Sequence, residues 1–165
     1  MIFFKVNNGK FNFRVAGLIF HDNRILIHRL KRDDFFALPG GRVEFMENTE
    51  QTLIREMKEE LNINVNIDKL LWVGEQFFEI YGEQYHEICY YYLLSADISE
   101  FKSNADKFEI VEDERVYEFK WVKTNELKNE VFYPIFIKER IYNLPETIEK
   151  FVEVNDVTCM EYFRK

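Results

Sequence analysis

Several things are scarce or missing in this chain, and each absence narrows its chemistry. There are only two cysteines. Cys89 and Cys159 lie far apart, with no metal-ligand spacing, and Cys89 sits in an apolar stretch that suits an inert core thiol. Basic charge is also short: 22 Lys and Arg against 30 Asp and Glu leave a formal net charge of −8. A chain without a basic patch has little counterion release to gain from polymeric DNA or RNA, so neither is the expected ligand. An acidic protein still handles an anionic small molecule if metal ions carry the positive charge. No apolar run approaches membrane-spanning length and no signal peptide opens the sequence, so the expected compartment is the cytoplasm, with no membrane partner. There is no internal repeat, no low-complexity segment and no EF-hand loop. The three histidines, His21, His28 and His86, show no mutual ligand spacing and read as structural or solvent-exposed groups.

What is present describes a globular α/β chain. Hydrophobic residues make up 47% and aromatics 17% of 165 residues, ample for one core. A single domain over residues 1–153 is expected, followed by a tail over 154–165 that shows no clear period. The pattern predicts strands over 11–20 and 24–30, joined at His21-Asp22-Asn23. Two more follow over 70–80 and 85–96, turning at Tyr81-Gly82-Glu83. A polar loop then leads to residues 108–111 and to a last strand over 117–122. Helical patterns follow from Thr124, over 133–142 and over 145–152, where Pro145 suits a first turn.

Residues 41–63, GRVEFMENTEQTLIREMKEELNI, carry the chemistry. Asn48 is a candidate N-cap and Gln51 closes a capping box. Leu53, Ile54, Met57 and Leu61 form a stripe expected to pack inward, away from the glutamates. Asn62 stands where a left-handed C-cap is needed. Glu56, Glu59 and Glu60 fall at i, i+3 and i+4, so their carboxylates share roughly a quarter turn of helix surface. Like charges so placed repel, and a divalent cation such as Mg²⁺ reverses that penalty, since carboxylate oxygens suit hard ions. Ahead of the helix, Leu38-Pro39-Gly40-Gly41 reads as a tight loop that lets backbone carbonyls approach a ligand. Glu47 and Arg55 are placed to pair and to hold that loop on the helix.

This segment resembles the Nudix box, G-x5-E-x7-R-E-U-x-E-E-x-G-U with U aliphatic. Gly41, Glu47, Arg55, Glu56, Met57, Glu59, Glu60 and Ile63 match, and Asn62 replaces the second glycine. The match covers 23 of 165 residues. The resemblance implies a mixed β-sheet sandwiched between α-helices. It implies a MutT-like hydrolase that cleaves a phosphoanhydride in a nucleoside diphosphate linked to another group, X, through water activated by Mg²⁺ or Mn²⁺. It further implies that Glu56, Glu59, Glu60 and the Gly40 carbonyl hold metal, that Glu56 or Glu59 partners the attacking water, and that Glu47 holds Arg55, which orients a catalytic glutamate. A late-loop acid, Glu112 or Glu114, is a candidate further base or ligand. The other reading is a catalytically silent Nudix-like module that binds a nucleotide as a sensor. A homodimer is open by analogy alone.

Substrate contacts are less sharply marked. Arg29 alternates with Ile25 and Ile27 and is a candidate phosphate ligand. Phe35 and Phe36 ahead of the glycines, and Phe78, Tyr81 and Tyr85 in the middle hairpin, are candidate base stackers, Phe36 and Tyr81 foremost. Tyr81 lies 18 residues past the box, an offset that resembles the diadenosine polyphosphate hydrolases of the family. There is no proline near the offset typical of ADP-ribose pyrophosphatases. A nucleoside triphosphate or dinucleotide polyphosphate is therefore the expected substrate class.

Overall fold

The computed structural model describes residues 1–6, 9–101, 105–112 and 114–155. Its strands are β1 (Phe3–Val6), β2 (Gly9–His21), β3 (Arg24–Leu30), β4 (Gly40–Arg42), β5 (Val65–Ile80), β6 (Glu83–Ala96), β7 (Lys107–Glu112), β8 (Arg115–Lys123) and β9 (Glu149–Val154), its α-helices are α1 (Thr49–Leu61) and α2 (Ile135–Arg140), and short 3-10 helices cover Ile98–Glu100 and Thr124–Asn129. The strands form one mixed sheet in the order β7-β8-β3-β2-β6-β5-β9, with β1 and β4 also paired to β2. Most pairs are antiparallel, while β2–β6 and β5–β9 run parallel.

Period-2 alternation explains how the sheet is covered. Val15, Ile19 and Leu26 point to the face that packs under Leu53, Met57 and Leu61 of α1. Ala16, Leu18, Ile25 and Ile27 point to the opposite face, under Leu127, Ile137 and Ile141. The two turns at Asp22 and at Tyr81-Gly82 use positive φ, 53° at Asp22, 54° at Tyr81 and 76° at Gly82. The two positive φ values in a row at Tyr81-Gly82 suit a tight hairpin whose twist matches its strands.

Three sequence expectations are corrected. Residues 145–152 do not form a helix: β9 begins at Glu149 and pairs with β5 from Trp72↔Glu149 to Phe77↔Val154. The reason is tertiary. Gly74 leaves room on β5 for the Phe151 ring, which a Cβ would meet, and that ring stacks on Phe136 at 3.9 Å between centroids. Burying an aromatic there outweighs a weak local helical preference. Pro145 lies ahead of β9, and its carbonyl accepts from Lys69 Nζ at 2.6 Å. For the same reason the strand near 117–122 is not the last. The third correction concerns α1: Ile54 is 45% exposed, whereas Thr52 and Glu60 are buried with Leu53, Met57 and Leu61. The inward arc is centred between the 52-56-60 and 53-57-61 rows, which puts Ile54 at its margin and Glu60 inside it. The tail beyond Asn155, with Cys159, lies outside the described residues. Among the described residues, no helix is long and apolar enough to cross a membrane.

Candidate active site

Helix α1 starts and stops as its sequence requires. Asn48 Oδ1 accepts from the Gln51 backbone N–H at 2.8 Å and Gln51 Oε1 from the Asn48 N–H at 3.1 Å, a reciprocal capping box. Asn62 adopts φ 55° and ψ 33°, and its N–H reaches the Lys58 and Met57 carbonyls. This left-handed cap is one that asparagine tolerates better than most residues.

Within this frame Arg55 ties four groups together. Its Nε and Nη2 donate to the two Glu47 oxygens at 3.0 and 2.9 Å. Nη2 also reaches the Arg42 carbonyl at 3.3 Å. Nη1 donates to Glu56 Oε1 at 2.7 Å and Glu59 Oε2 at 2.9 Å. Glu47 takes a further bond from Thr52 Oγ1 at 2.8 Å. The Arg55 hydrogen bonds hold the Glu47 carboxyl down at about 2, and Glu47 in turn raises the Arg55 pKa. A planar guanidinium suits this role because it presents several donors in a fixed fork.

Glu56 and Glu60 face inward. The Glu56 carboxylate lies over Gly41, where a Cβ would collide with it, so glycine is required by close approach. Burial raises its pKa. Glu60 is 6% exposed, and burial followed by the nearby Glu56 charge pushes its pKa well above the usual carboxylate range. Its Oε2 has no hydrogen-bond partner, and neither does His28 Nδ1, 3.8 Å away. Burial, reinforced by the Arg14 charge, lowers His28 to about 3, so this imidazole is neutral at pH 7. Glu112, at the end of β7, adds negative charge near Glu60, while Glu114 lies exposed in the β7–β8 turn at φ 64°.

A divalent cation fits these residues on two observations. The donors are carboxylate oxygens next to a backbone carbonyl, the hard set that Mg²⁺ or Mn²⁺ prefers. One of them, Glu60 Oε2, is buried and orphaned, a costly state that a cation would relieve. In this arrangement no three His, Cys, Asp or Glu side chains converge as a metal group among the described residues. Arg55 Nη1 bonds both Glu56 and Glu59 in this arrangement. The Gly40 carbonyl accepts from Arg14 Nη2 at 3.3 Å.

Beside this cluster, on the face opposite α1, opens a cleft of about 320 Å³. Arg14 connects the two, lining the cleft while its charge is felt at Glu56 and Glu60. Gln76 and Glu87 lie in the floor, and Phe35, Phe78 and Tyr81 contribute aromatic walls. Tyr81 is 73% exposed at the rim, with its hydroxyl donating to Asp33 Oδ1 at 2.8 Å. Glu47, Arg55, Glu56, Glu59, Glu60 and Gly40 are thus gathered together, and Tyr81 reaches the neighbouring cleft. Arg29 and Phe36 sit elsewhere. Arg29 Nε donates to Glu118 Oε1 at 3.1 Å, and its guanidinium stacks on the Phe36 ring at 4.6 Å. Phe36 is buried against Phe132 and Leu38 in the core.

Arg14, Gln76 and Glu87 went unnoticed in the sequence reading. Their common signal is a charged or amide residue interrupting a strongly apolar strand, which costs free energy unless its polar groups are used. No local pattern says that three such interruptions meet.

Residues 10–139 match the family model of the NUDIX domain. An ADP-ribose pyrophosphatase of Methanocaldococcus jannaschii is 44% identical over 62 residues, covering 36% of this chain and 37% of its own. The putative mutator protein MutT4 of Mycobacterium tuberculosis is 31% identical over 101 residues, covering 59% and 36%. The chain therefore matches little more than a third of either relative's length. Among solved structures, a MutT NUDIX hydrolase from Burkholderia pseudomallei superposes with a TM-score of 0.57 at 28% identity, covering 79% of this chain and 94% of that one. A UDP-X diphosphatase shares the fold, with a TM-score of 0.55 at 20% identity over 79% of this chain and 59% of that one.

Proposed function

Because this chain belongs to the Nudix family, we propose that it hydrolyses a phosphoanhydride bond in a nucleoside diphosphate linked to a second group, X. The observation that carries this reading is the carboxylate cluster gathered by Arg55 beside a cleft of nucleotide size, with Glu60 Oε2 left unpaired at its inner edge. A site of that construction suits phosphoryl transfer, where positioning and charge neutralisation do most of the work.

Glu56, Glu59 and Glu60 would hold the divalent cation, with the Gly40 carbonyl. When bound, it would neutralise the diphosphate and lower the pKa of a coordinated water. The remaining roles belong to the chain. Arg55 keeps Glu56 and Glu59 oriented through Nη1, and Glu47 keeps Arg55 oriented through both of its oxygens. A Glu56 or Glu59 oxygen then accepts the proton of the attacking water. Arg14, bonded to Gly40 and open to the cleft, supplies a fixed positive charge for the diphosphate. The aromatic walls, Tyr81 included, receive the nucleoside.

For X, a phosphate chain or a second nucleotide is the class proposed, making a nucleoside triphosphate or dinucleotide polyphosphate the substrate. The name of the Methanocaldococcus relative adds a ribose-linked X to the compounds to be tested. The decisive experiment measures phosphate, pyrophosphate and nucleoside monophosphate release with Mg²⁺ and with Mn²⁺, against a Glu56→Gln control. Release that disappears in the control supports the proposal. Tight nucleotide binding with no release from the wild type would instead leave a silent binding module.

A further inference from the structure

The cleft floor has a polarity that can be worked out atom by atom. Asn12, Gln76, Glu87 and Tyr91 are each at most 6% exposed, so their hydrogen bonds are strongly constrained by the cost of burying unpaired groups. The chain begins at Arg42, whose guanidinium only donates. Arg42 Nε lies 2.7 Å from Asn12 Oδ1, which leaves Asn12 Nδ2 to face Glu87 Oε2 at 2.6 Å. Glu87 is therefore an acceptor at that oxygen. Burial raises the Glu87 pKa, and the Arg14 charge, the Asn12 hydrogen bond and the Arg42 charge work against that rise in favour of the carboxylate. Its other oxygen, Oε1, meets Gln76 Nε2 at 3.3 Å, and the same Nε2 donates to the Tyr91 hydroxyl at 2.8 Å.

Both hydrogens of the Gln76 amide are thereby used. Flipping the amide would turn its carbonyl onto a carboxylate, setting acceptor against acceptor. What remains is Gln76 Oε1. Among the described residues it accepts no hydrogen bond, and it is not one of the buried polar atoms that lack a partner, so it keeps open space. Gln76 lines the cleft, and with both amide hydrogens spent on Glu87 and Tyr91 its Oε1 is the polar atom left for a cleft ligand.

The geometry points to Gln76 as a specificity-determining residue whose carbonyl oxygen, locked by Glu87 and Tyr91, selects a nucleobase presenting an exocyclic amine to the cleft floor. The inference rests on the reading of the cleft as a nucleotide site. An amino-bearing base, adenine or cytosine, places a donor against Oε1. Its keto counterpart, hypoxanthine or uracil, places an acceptor there and leaves two lone-pair groups facing each other. A site built to receive a donor rejects the analogue lacking one more strongly than an apolar pocket would.

The test is equilibrium binding of AMP, IMP, CMP and UMP to the full chain by calorimetry. Nucleoside monophosphates are products of the proposed reaction, so their binding is read without turnover. The expected result is about a tenfold or larger preference for the amino member of at least one pair, AMP over IMP or CMP over UMP. In Glu87→Gln the amide lock is released and the preference should fall to about twofold or less. In Gln76→Leu the acceptor is gone and the preference should also vanish. Equal affinities in the wild type, a keto preference, or no binding of any of the four overturns the inference. Since the wild-type comparison alone decides, poor folding of either variant does not rescue it. Amino preference without hydrolysis of any substrate defeats the enzyme reading and leaves this one standing. Hydrolysis without amino preference does the reverse.

Discussion

Glu60 and Glu87 are equally buried, 6% exposed each, yet they have been treated in opposite ways by the fold. Glu87 receives hydrogen bonds on both oxygens, from Asn12 and Gln76, and has two guanidinium charges in reach. Glu60 keeps Oε2 without a partner and has the Glu56 carboxylate as a near neighbour, against which only the Arg14 charge and a Gly40 backbone hydrogen bond work. A buried carboxylate is tolerable when it is satisfied and costly when it is not. Glu87 is thus finished within the protein, as a fixed part of a recognition surface. Glu60 is unfinished: its Oε2 and the facing His28 Nδ1 both lack a hydrogen bond, a state that the proposed cation would relieve at the carboxylate.

Breaking the unfinished side should have the largest effect. Replacing Glu56 by Gln is expected to lower kcat by about 100-fold or more with the fold intact, measured as phosphate release with circular dichroism as the check on folding. Full activity in that variant would remove the acid cluster from the chemistry. Arg55→Ala should come next, costing about 2–3 kcal/mol of stability in urea unfolding, because it strips the partner from Glu47, Glu56 and Glu59 at once. A cost within about 0.5 kcal/mol would show that the hub is no more than a surface ion pair.

The contrast between the two carboxylates is sharpened by cation. Mg²⁺ at about 100 times its Kd should raise the Tm of the wild type by roughly 5–10 °C. Glu60→Gln should lose most of that rise while its Tm without cation stays at or above that of the wild type, since a buried carboxyl with an unpaired oxygen beside the Glu56 carboxylate has gone. Glu87→Gln should keep the cation-dependent rise. If both variants respond alike, the distinction between finished and unfinished carboxylates fails.

A smaller effect concerns pH. Glu47 titrates at about 2 when folded against its usual 4.5, so the unfolded chain takes up this proton first. The stabilisation from its pair with Arg55 is whole above pH about 4.5 and is lost as the pH falls towards 2. Glu47→Gln lacks that contribution, so the gap in Tm between wild type and variant should close across this window. A gap that stays constant would place the stabilisation elsewhere. Smallest of all, Asn62→Gly should raise stability by no more than about 0.5–1 kcal/mol and leave kcat unchanged, because only the left-handed cap is relieved.

Helix α1 was legible because everything that builds it lies within residues 41–63. Its capping box, its left-handed stop and the Glu47–Arg55 pair are all contacts between near neighbours in the chain. Even there, which face of the helix is buried was misjudged at Ile54 and Glu60, since the position of the sheet decides it. Residues 145–152 misled for a related reason: the preference of that segment is weak, and its strand exists through pairing with β5 and through the room left by Gly74. Arg29 had the right alternation for an inward arginine, but Glu118 across the β3–β8 pair was not visible from either strand alone.

By itself the sequence determined the α/β class, the box helix with its caps and the set of carboxylates that one helix face must hold together, because residues three and four apart on a helix are neighbours whatever surrounds them. Only the tertiary structure decided which of those carboxylates is buried without a partner, and that Arg14, Gln76 and Glu87 share a cleft. Those three residues come from three strands, and their meeting depends on the parallel register of β2 with β6 and the antiparallel register of β5 with β6. Pairing between distant strands is set by the sum of contacts over the whole sheet, which no local stretch of chain encodes.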